Sequence, residues 1–76
     1  MREVHITLKG IEDVRNVVKE VIMLDYEVDL VQGRYVVDAK SVMGIFSLDL
    51  LSPIAVQLHT DNADAFLAKI KNFIVD

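Results

Sequence analysis

The sequence contains no cysteine and no tryptophan, and it has one proline and three glycines among 76 residues. Without thiols, the chain cannot form disulfides, thiolate zinc sites or iron–sulfur clusters, and it has no cysteine nucleophile. Aromatic residues are few, so there is no platform on which single-stranded bases would stack. Lysine and arginine form no cluster, and the formal net charge is −4. We therefore expect no nucleic-acid partner.

Long apolar runs are also missing. No segment approaches the roughly 18 apolar residues of a transmembrane helix, and the first residues lack the apolar core of a signal peptide. We expect a cytoplasmic protein without membrane insertion. Hydrophobic residues nevertheless make up 53% of the chain, a density that suits one small domain covering residues 1–76.

Alternation of apolar and polar residues predicts four β-strands, at 3–9, 26–31, 35–39 and 54–59. The segment Gln32-Gly33-Arg34 is a turn signal, so the second and third strands should form a hairpin. The face of the sheet turned toward water is expected to carry polar side chains: His5, Thr7, Glu27, Asp29, Gln57 and His59.

Apolar residues spaced three and four apart predict three helices. The first follows Asp13, the second runs over 41–48 with Ser41 as its N-cap and Gly44 as a weak point, and the last is capped by Thr60 or Asp61. The first helix has the stripe Val14, Val17, Val18, Val21 and Ile22, and the last has Ala63, Phe66, Leu67, Ile70, Phe73 and Ile74. We expect one shared core that includes Val18, Ile22, Leu30, Leu58, Phe66 and Ile70.

The element order is therefore βαββαβα. Three helices packed on one face of a four-stranded antiparallel sheet form the natural two-layer α+β arrangement for such an order. Within that order, the segment Lys40-Ser41-Val42-Met43-Gly44-Ile45-Phe46-Ser47-Leu48 resembles the Lys-Ser-(Ile/Leu)-Met-Gly-apolar-apolar-Ser-Leu segment of the histidine-containing phosphocarrier (HPr) proteins. The resemblance covers essentially the whole chain and implies the HPr-like open-faced β-sandwich.

The resemblance also implies a function in the phosphoenolpyruvate-dependent sugar phosphotransferase system of bacteria. Partners would be other proteins: components of that system, a serine kinase or a transcription regulator. In HPr proteins the apolar surface of the short helix is the docking surface, which places partner binding here at Val42, Met43, Ile45, Phe46 and Ser47. Without the resemblance, Met43 and Phe46 would be read as residues that cover a small core.

Ser41 aligns with the serine that an ATP-dependent kinase phosphorylates in HPr proteins of low-GC Gram-positive bacteria. A phosphate at a helix N-terminus meets free amides and a favourable dipole. Capping alone also explains a serine at this position. Both interpretations stay open.

The sequence differs from the HPr proteins at the position of their phosphoryl-accepting histidine. HPr proteins carry Gly-apolar-His-Ala-Arg-Pro-Ala at the start of the first helix, where the histidine accepts the phosphoryl group. The gapless alignment places Asp13 on the histidine and Arg15 on the arginine, with Asn16 in place of the proline, and a shift of one residue places Glu12 on the histidine. A carboxylate there either mimics a phosphorylated state or caps the helix.

The two histidines do not replace the missing one. His5 and His59 are expected on the open sheet face, where they would form at most a cross-strand pair without a third metal ligand. We expect no metal, no cofactor and no turnover enzyme. The leading hypothesis is a regulatory or adaptor module without histidine phosphotransfer; the alternatives are a phosphocarrier with an unusual acceptor and an unrelated small α+β protein-binding domain.

Overall fold

The structure is a computed structural model that describes residues 1–75. Four strands form a single antiparallel sheet in the order β1-β4-β2-β3, and the helices accompany it in the predicted α+β arrangement. The elements are β1 Arg2–Ile6, α1 Ile11–Val21, β2 Val28–Gln32, β3 Tyr35–Asp38, α2 Val42–Phe46, β4 Ile54–Leu58 and α3 Asp64–Lys69, followed by a 3₁₀ turn at Lys71–Phe73.

The β2–β3 hairpin forms where the turn signal predicted it. Gly33 has a φ of 59° and Arg34 does not have a positive φ, which is the pattern of a two-residue turn with glycine in its first central position. Val31 lies opposite Val36, and Asp29 lies opposite Asp38. This register fixes which side chains share a face of the sheet.

The core lies between the sheet and the helices. Leu30, Leu58, Phe66 and Ile70 are buried as predicted, and Val18 is partly buried against them. Ile22 contradicts the prediction, since it is 59% exposed. The buried face of α1 consists of Val14, Val17 and Val21. Ile22 lies one turn after the partly buried Val18, on the flank of that face, so its side chain points away from the sheet.

The last helix is shorter than its apolar stripe predicted. It covers only Asp64–Lys69, its N-cap is Ala63, and no side chain caps it. Thr60 accepts a hydrogen bond from the Asn62 N–H instead, at 3.2 Å, so the predicted cap at Thr60 or Asp61 is wrong.

Ile74 is not helical either. Its backbone is extended and forms an antiparallel bridge with Ile6, while the Val75 N–H donates to the His5 carbonyl at 2.9 Å. The chain leaves the helix here because the outer edge of β1 offers unpaired backbone groups.

No helix in the described part of the chain is long and apolar enough to cross a bilayer.

Candidate functional site

The start of α1 is the region where the resemblance places the phosphoryl acceptor. Gly10 is the N-cap of this helix and supplies no side chain. Asp13, in the first turn, compensates: its Oδ2 accepts the backbone N–H of Lys9 at 2.8 Å. The Asp13 side chain is only partly exposed. Its carboxylate therefore satisfies a backbone donor near the positive end of the helix dipole.

The other residues of this turn face solvent. Glu12, Arg15 and Asn16 are all exposed, and within residues 1–75 no ion pair joins Arg15 to Asp13 or Glu12. The turn thus presents one free carboxylate, one free guanidinium and one carboxylate held by the backbone. It contains no imidazole that could accept a phosphoryl group.

The histidines lie elsewhere and apart from each other. His5 in β1 lies opposite Ala55 of β4, whereas His59 follows the end of β4 and its Nε2 lies 3.0 Å from Oδ2 of Asp29. The predicted cross-strand pair of histidines is therefore wrong, because the partner of His5 in β4 is Ala55, four positions before His59. Within the described residues, no group of three histidines, aspartates or glutamates could hold a metal ion.

The start of α2 has the geometry expected of a capped helix. The Ser41 Oγ accepts the Gly44 N–H at 3.1 Å, and Ser41 is exposed. Gly44 is explained by close packing: a Cβ at this position would lie 3.0 Å from the Ser41 Oγ and 3.3 Å from the Val37 Cβ. Glycine thus permits α2 to approach β3 while the cap forms.

Four of the five predicted docking residues face solvent. Met43 is 84% exposed, and Val42, Phe46 and Ser47 are exposed as well. We call these four residues the α2 surface. Ile45 contradicts the prediction, because it is fully buried. A helix of this length that lies on a sheet turns one side chain into the core, and in α2 that side chain is Ile45.

The turn after α2 was missed by the sequence analysis. The Gln32 side chain binds the backbone of Asp49 through two hydrogen bonds, of 2.7 and 2.8 Å. The Asp49 carboxylate in turn accepts the Leu51 N–H and the Ser52 hydroxyl. The result is an ordered turn with Leu51 almost completely exposed. The available signal was the Asp-x-x-Ser-Pro sequence, which is typical of a turn that an aspartate side chain stabilises.

Comparison with known proteins shows which fold this is. No protein-family model and no curated protein sequence matches the chain. Solved structures, by contrast, do match the chain. The chain is similar to HPr-C-His from Thermoanaerobacter tengcongensis, with a TM-score of 0.78 and 20% identity over 95% of this chain and 89% of that one.

Two further structures are similar to the same extent. The phosphocarrier protein HPr from Bacillus anthracis gives a TM-score of 0.74 at 23% identity, over 97% of this chain and 94% of that one. The histidine-containing phosphocarrier protein of a Mycoplasma gives 0.72 at 18% identity, over 93% and 86%. The fold is therefore the HPr fold over nearly the full length of both partners in each comparison. This confirms the fold that the α2 segment predicted.

Proposed function

We propose that this chain is a regulatory or adaptor member of the HPr group, related to the sugar phosphotransferase system and without histidine phosphotransfer. It works in the cytoplasm by binding another protein and catalyses no turnover. Its HPr fold and the likeness of its α2 segment to the HPr docking segment support the relationship. The turn at the start of α1 carries Glu12 and Asp13 in place of a histidine.

One observation carries the proposal: the apolar side chains of the α2 surface remain in water although the domain has a complete core. Val42, Met43 and Phe46 are exposed while Ile45, in the same short helix, is buried. A flexible, polarizable methionine is well suited to fill the irregular surface of a partner. The rest of the α2 surface surrounds it with further apolar area, which a partner would remove from water.

Ser41 is the proposed regulatory position on this surface. Ser41 is an exposed residue and directly precedes Val42. Phosphorylation would add about two negative charges to the edge of an apolar docking surface. The same phosphate would remain close to the N–H groups at the start of α2. We therefore propose that phosphorylation of Ser41 changes partner binding and leaves the fold in place.

The alternative of a phosphocarrier with an unusual acceptor rests on the exposed Glu12 carboxylate. An acyl phosphate normally forms beside a bound magnesium ion held by acidic residues. Within residues 1–75 no such acidic cluster exists. The adaptor proposal is therefore better supported, and stoichiometric phosphorylation by a phosphohistidine donor would instead support the unusual carrier.

The test of docking compares two methionines. ¹⁵N-labelled protein is titrated with the phosphohistidine donor, the soluble permease domains and the serine kinase of the host's phosphotransferase system. Met43→Glu should abolish binding to the partner found, because it places a charge in the contact. Met23→Glu is the matched control, since Met23 is 74% exposed and lies beyond the end of α1.

Both variants should keep the native far-UV spectrum and the native urea midpoint. Loss of binding by Met43→Glu alone supports docking through the α2 surface. Equal binding by the wild type and both variants, or no binding to any of these components, would contradict it.

A further inference from the structure

The two outer edges of the sheet differ. The edge of β1 is covered by the chain's own C-terminal residues, which pair with it at Ile6 and Ile74. β3 forms the other edge. Within residues 1–75, the backbone of Tyr35, Val36 and Val37 makes no hydrogen bond outside the β2–β3 pair. Such an edge is a template for another strand.

The backbone groups available at this edge can be identified. The Ala39 N–H donates to the Val28 carbonyl at 3.0 Å, so position 39 faces β2. Backbone direction alternates along a strand, so positions 35 and 37 also face β2 while Val36 and Asp38 face outward. The hydrogen bond of the Asp38 carbonyl is consistent with this outward direction, because the carbonyl accepts the Ser41 N–H and takes no part in the β2 ladder.

A second copy of the chain can pair with this edge only in certain registers. In a twofold-symmetric antiparallel pair, outward-facing residues must meet outward-facing residues, so the pair is centred on position 35, 36 or 37. Centring on Val36 places Arg34 opposite Asp38 of the second copy. Centring on position 37 places Arg34 opposite Lys40, a like charge, and centring on position 35 places it opposite Val36.

The charges favour the register centred on Val36. Arg34 makes no ion pair within residues 1–75. Asp38 lies opposite Asp29 across the hairpin, and like charges in facing positions are unfavourable. The Asp38 Oδ1 accepts the Lys40 N–H at 2.8 Å, and its other oxygen is available to a guanidinium.

The exposed side chains of the strand agree with this pairing. Tyr35 is 60% and Val36 is 62% exposed. Aromatic and β-branched residues are those that stabilise cross-strand pairs, so both side chains are suited to contact a further strand. In the register centred on Val36, the two copies of Val36 face each other on the open face of the sheet. Tyr35 lies opposite Val37 of the second copy on the helix side.

We propose that two copies of this chain associate through antiparallel pairing of their β3 strands, centred on Val36, into one continuous eight-stranded sheet. The Val36 N–H and carbonyl bond to the same groups of the second copy. Arg34 of each copy pairs with Asp38 of the other. The dyad is perpendicular to the sheet, so the helices of both copies remain on one face. The contact is short, and the dimer is weak and sensitive to salt.

The test uses charge exchange in the intact protein. Sedimentation equilibrium up to about 1 mM protein measures the dissociation constant for wild type, Arg34→Asp and Asp38→Arg. Each variant alone brings two like-charge pairs together, so dimerisation should weaken by about tenfold or more. An equimolar mixture restores both unlike pairs, because the aspartates of one chain face the arginines of the other.

The mixture should therefore form heterodimers that neither variant forms as a homodimer. Val36→Pro is a further variant: it removes an outward N–H that has no partner within the chain, which an edge strand tolerates, and it should abolish dimerisation with the fold retained. A wild type that is monomeric up to about 1 mM overturns the proposal. A Val36→Pro variant that still forms the dimer would also overturn it. The same holds if the two charge variants fail to associate when mixed although circular dichroism shows both to be folded.

Discussion

Asp13 and Glu12 are neighbours of the same charge, but they have different roles in the first turn of α1. The Asp13 carboxylate accepts the Lys9 N–H, whereas the Glu12 side chain is exposed and has no hydrogen bond within residues 1–75. Asp13→Ala should therefore lower the free energy of unfolding by about 1 kcal/mol, through loss of that bond and of a charge near the helix dipole. Glu12→Ala should cost roughly 0.3 kcal/mol, from the dipole alone.

Urea unfolding of both variants decides this difference. Equal costs would show that the bond from Lys9 to Asp13 contributes nothing in solution. The residue that the alignment places on the family histidine would then have no structural role of its own.

Ser41 combines a capping function with a candidate regulatory one, and two substitutions separate them. Ser41→Ala removes the acceptor of the Gly44 N–H and should cost about 1 kcal/mol of stability. Ser41→Asp keeps a capping oxygen and adds a negative charge where the dipole favours it. We expect its urea midpoint to equal or exceed that of the wild type, and a midpoint as low as that of Ser41→Ala would contradict this prediction.

Two isoleucines test which faces of the helical elements are buried. Ile70 is the C-cap of α3 and is fully buried, whereas Ile22 is the C-cap of α1 and is 59% exposed. Ile70→Ala should cost roughly 2–5 kcal/mol, because it removes apolar contacts and leaves a cavity. Ile22→Ala should change stability by less than about 0.5 kcal/mol. The pair is matched in chemistry, so similar urea midpoints for the two variants would contradict the burial assigned to both.

The elements also show what a sequence pattern can predict. β2 and β4 could be predicted because the alternation of apolar and polar residues in each strand reflects one buried face. The N-cap of α2 could be predicted because a serine at a helix start bonds to the backbone within its own turn. The extended conformation of Ile74 was not predicted. Its spacing from Ile70 fits a helix, but its backbone follows the unpaired edge of β1, a partner that lies 68 positions earlier in the sequence.

Ile22 and Ile45 were assigned to the wrong surface for a related reason. Periodicity gives the direction of a side chain around a helix axis, but not where the helix ends or how it lies on the sheet. Val21 and Ile22 belong to the same stripe, yet Val21 lies at the centre of the buried face and Ile22 on its exposed flank. The depth of Ile45 depends on the approach of α2 to β3, which Gly44 permits through its missing Cβ.

For the molecule as a whole, the open question is whether an HPr fold without the family histidine still carries phosphate. The acceptor atom must lie in line with the donor phosphorus, beside helix-terminal amides that stabilise the developing charge. In this chain that region presents Glu12 and Asp13. His59 is held against Asp29 at the far end of β4, and His5 lies within β1.

We therefore expect a phosphohistidine donor system to leave this protein unmodified under conditions that fully label an ordinary HPr protein in the same reaction. Asp13→His should not restore transfer fully, because the native carboxylate there bonds to Lys9 and Asn16 stands in place of the motif proline. Intact-protein mass spectrometry measures the added phosphate. Stoichiometric phosphate on the wild type would support the carrier with an unusual acceptor. Its stability to alkali would then distinguish an acyl phosphate on Glu12 from a phosphohistidine, since hydroxide cleaves an acyl phosphate at its carbonyl carbon and leaves a phosphohistidine, which has no such carbon, intact.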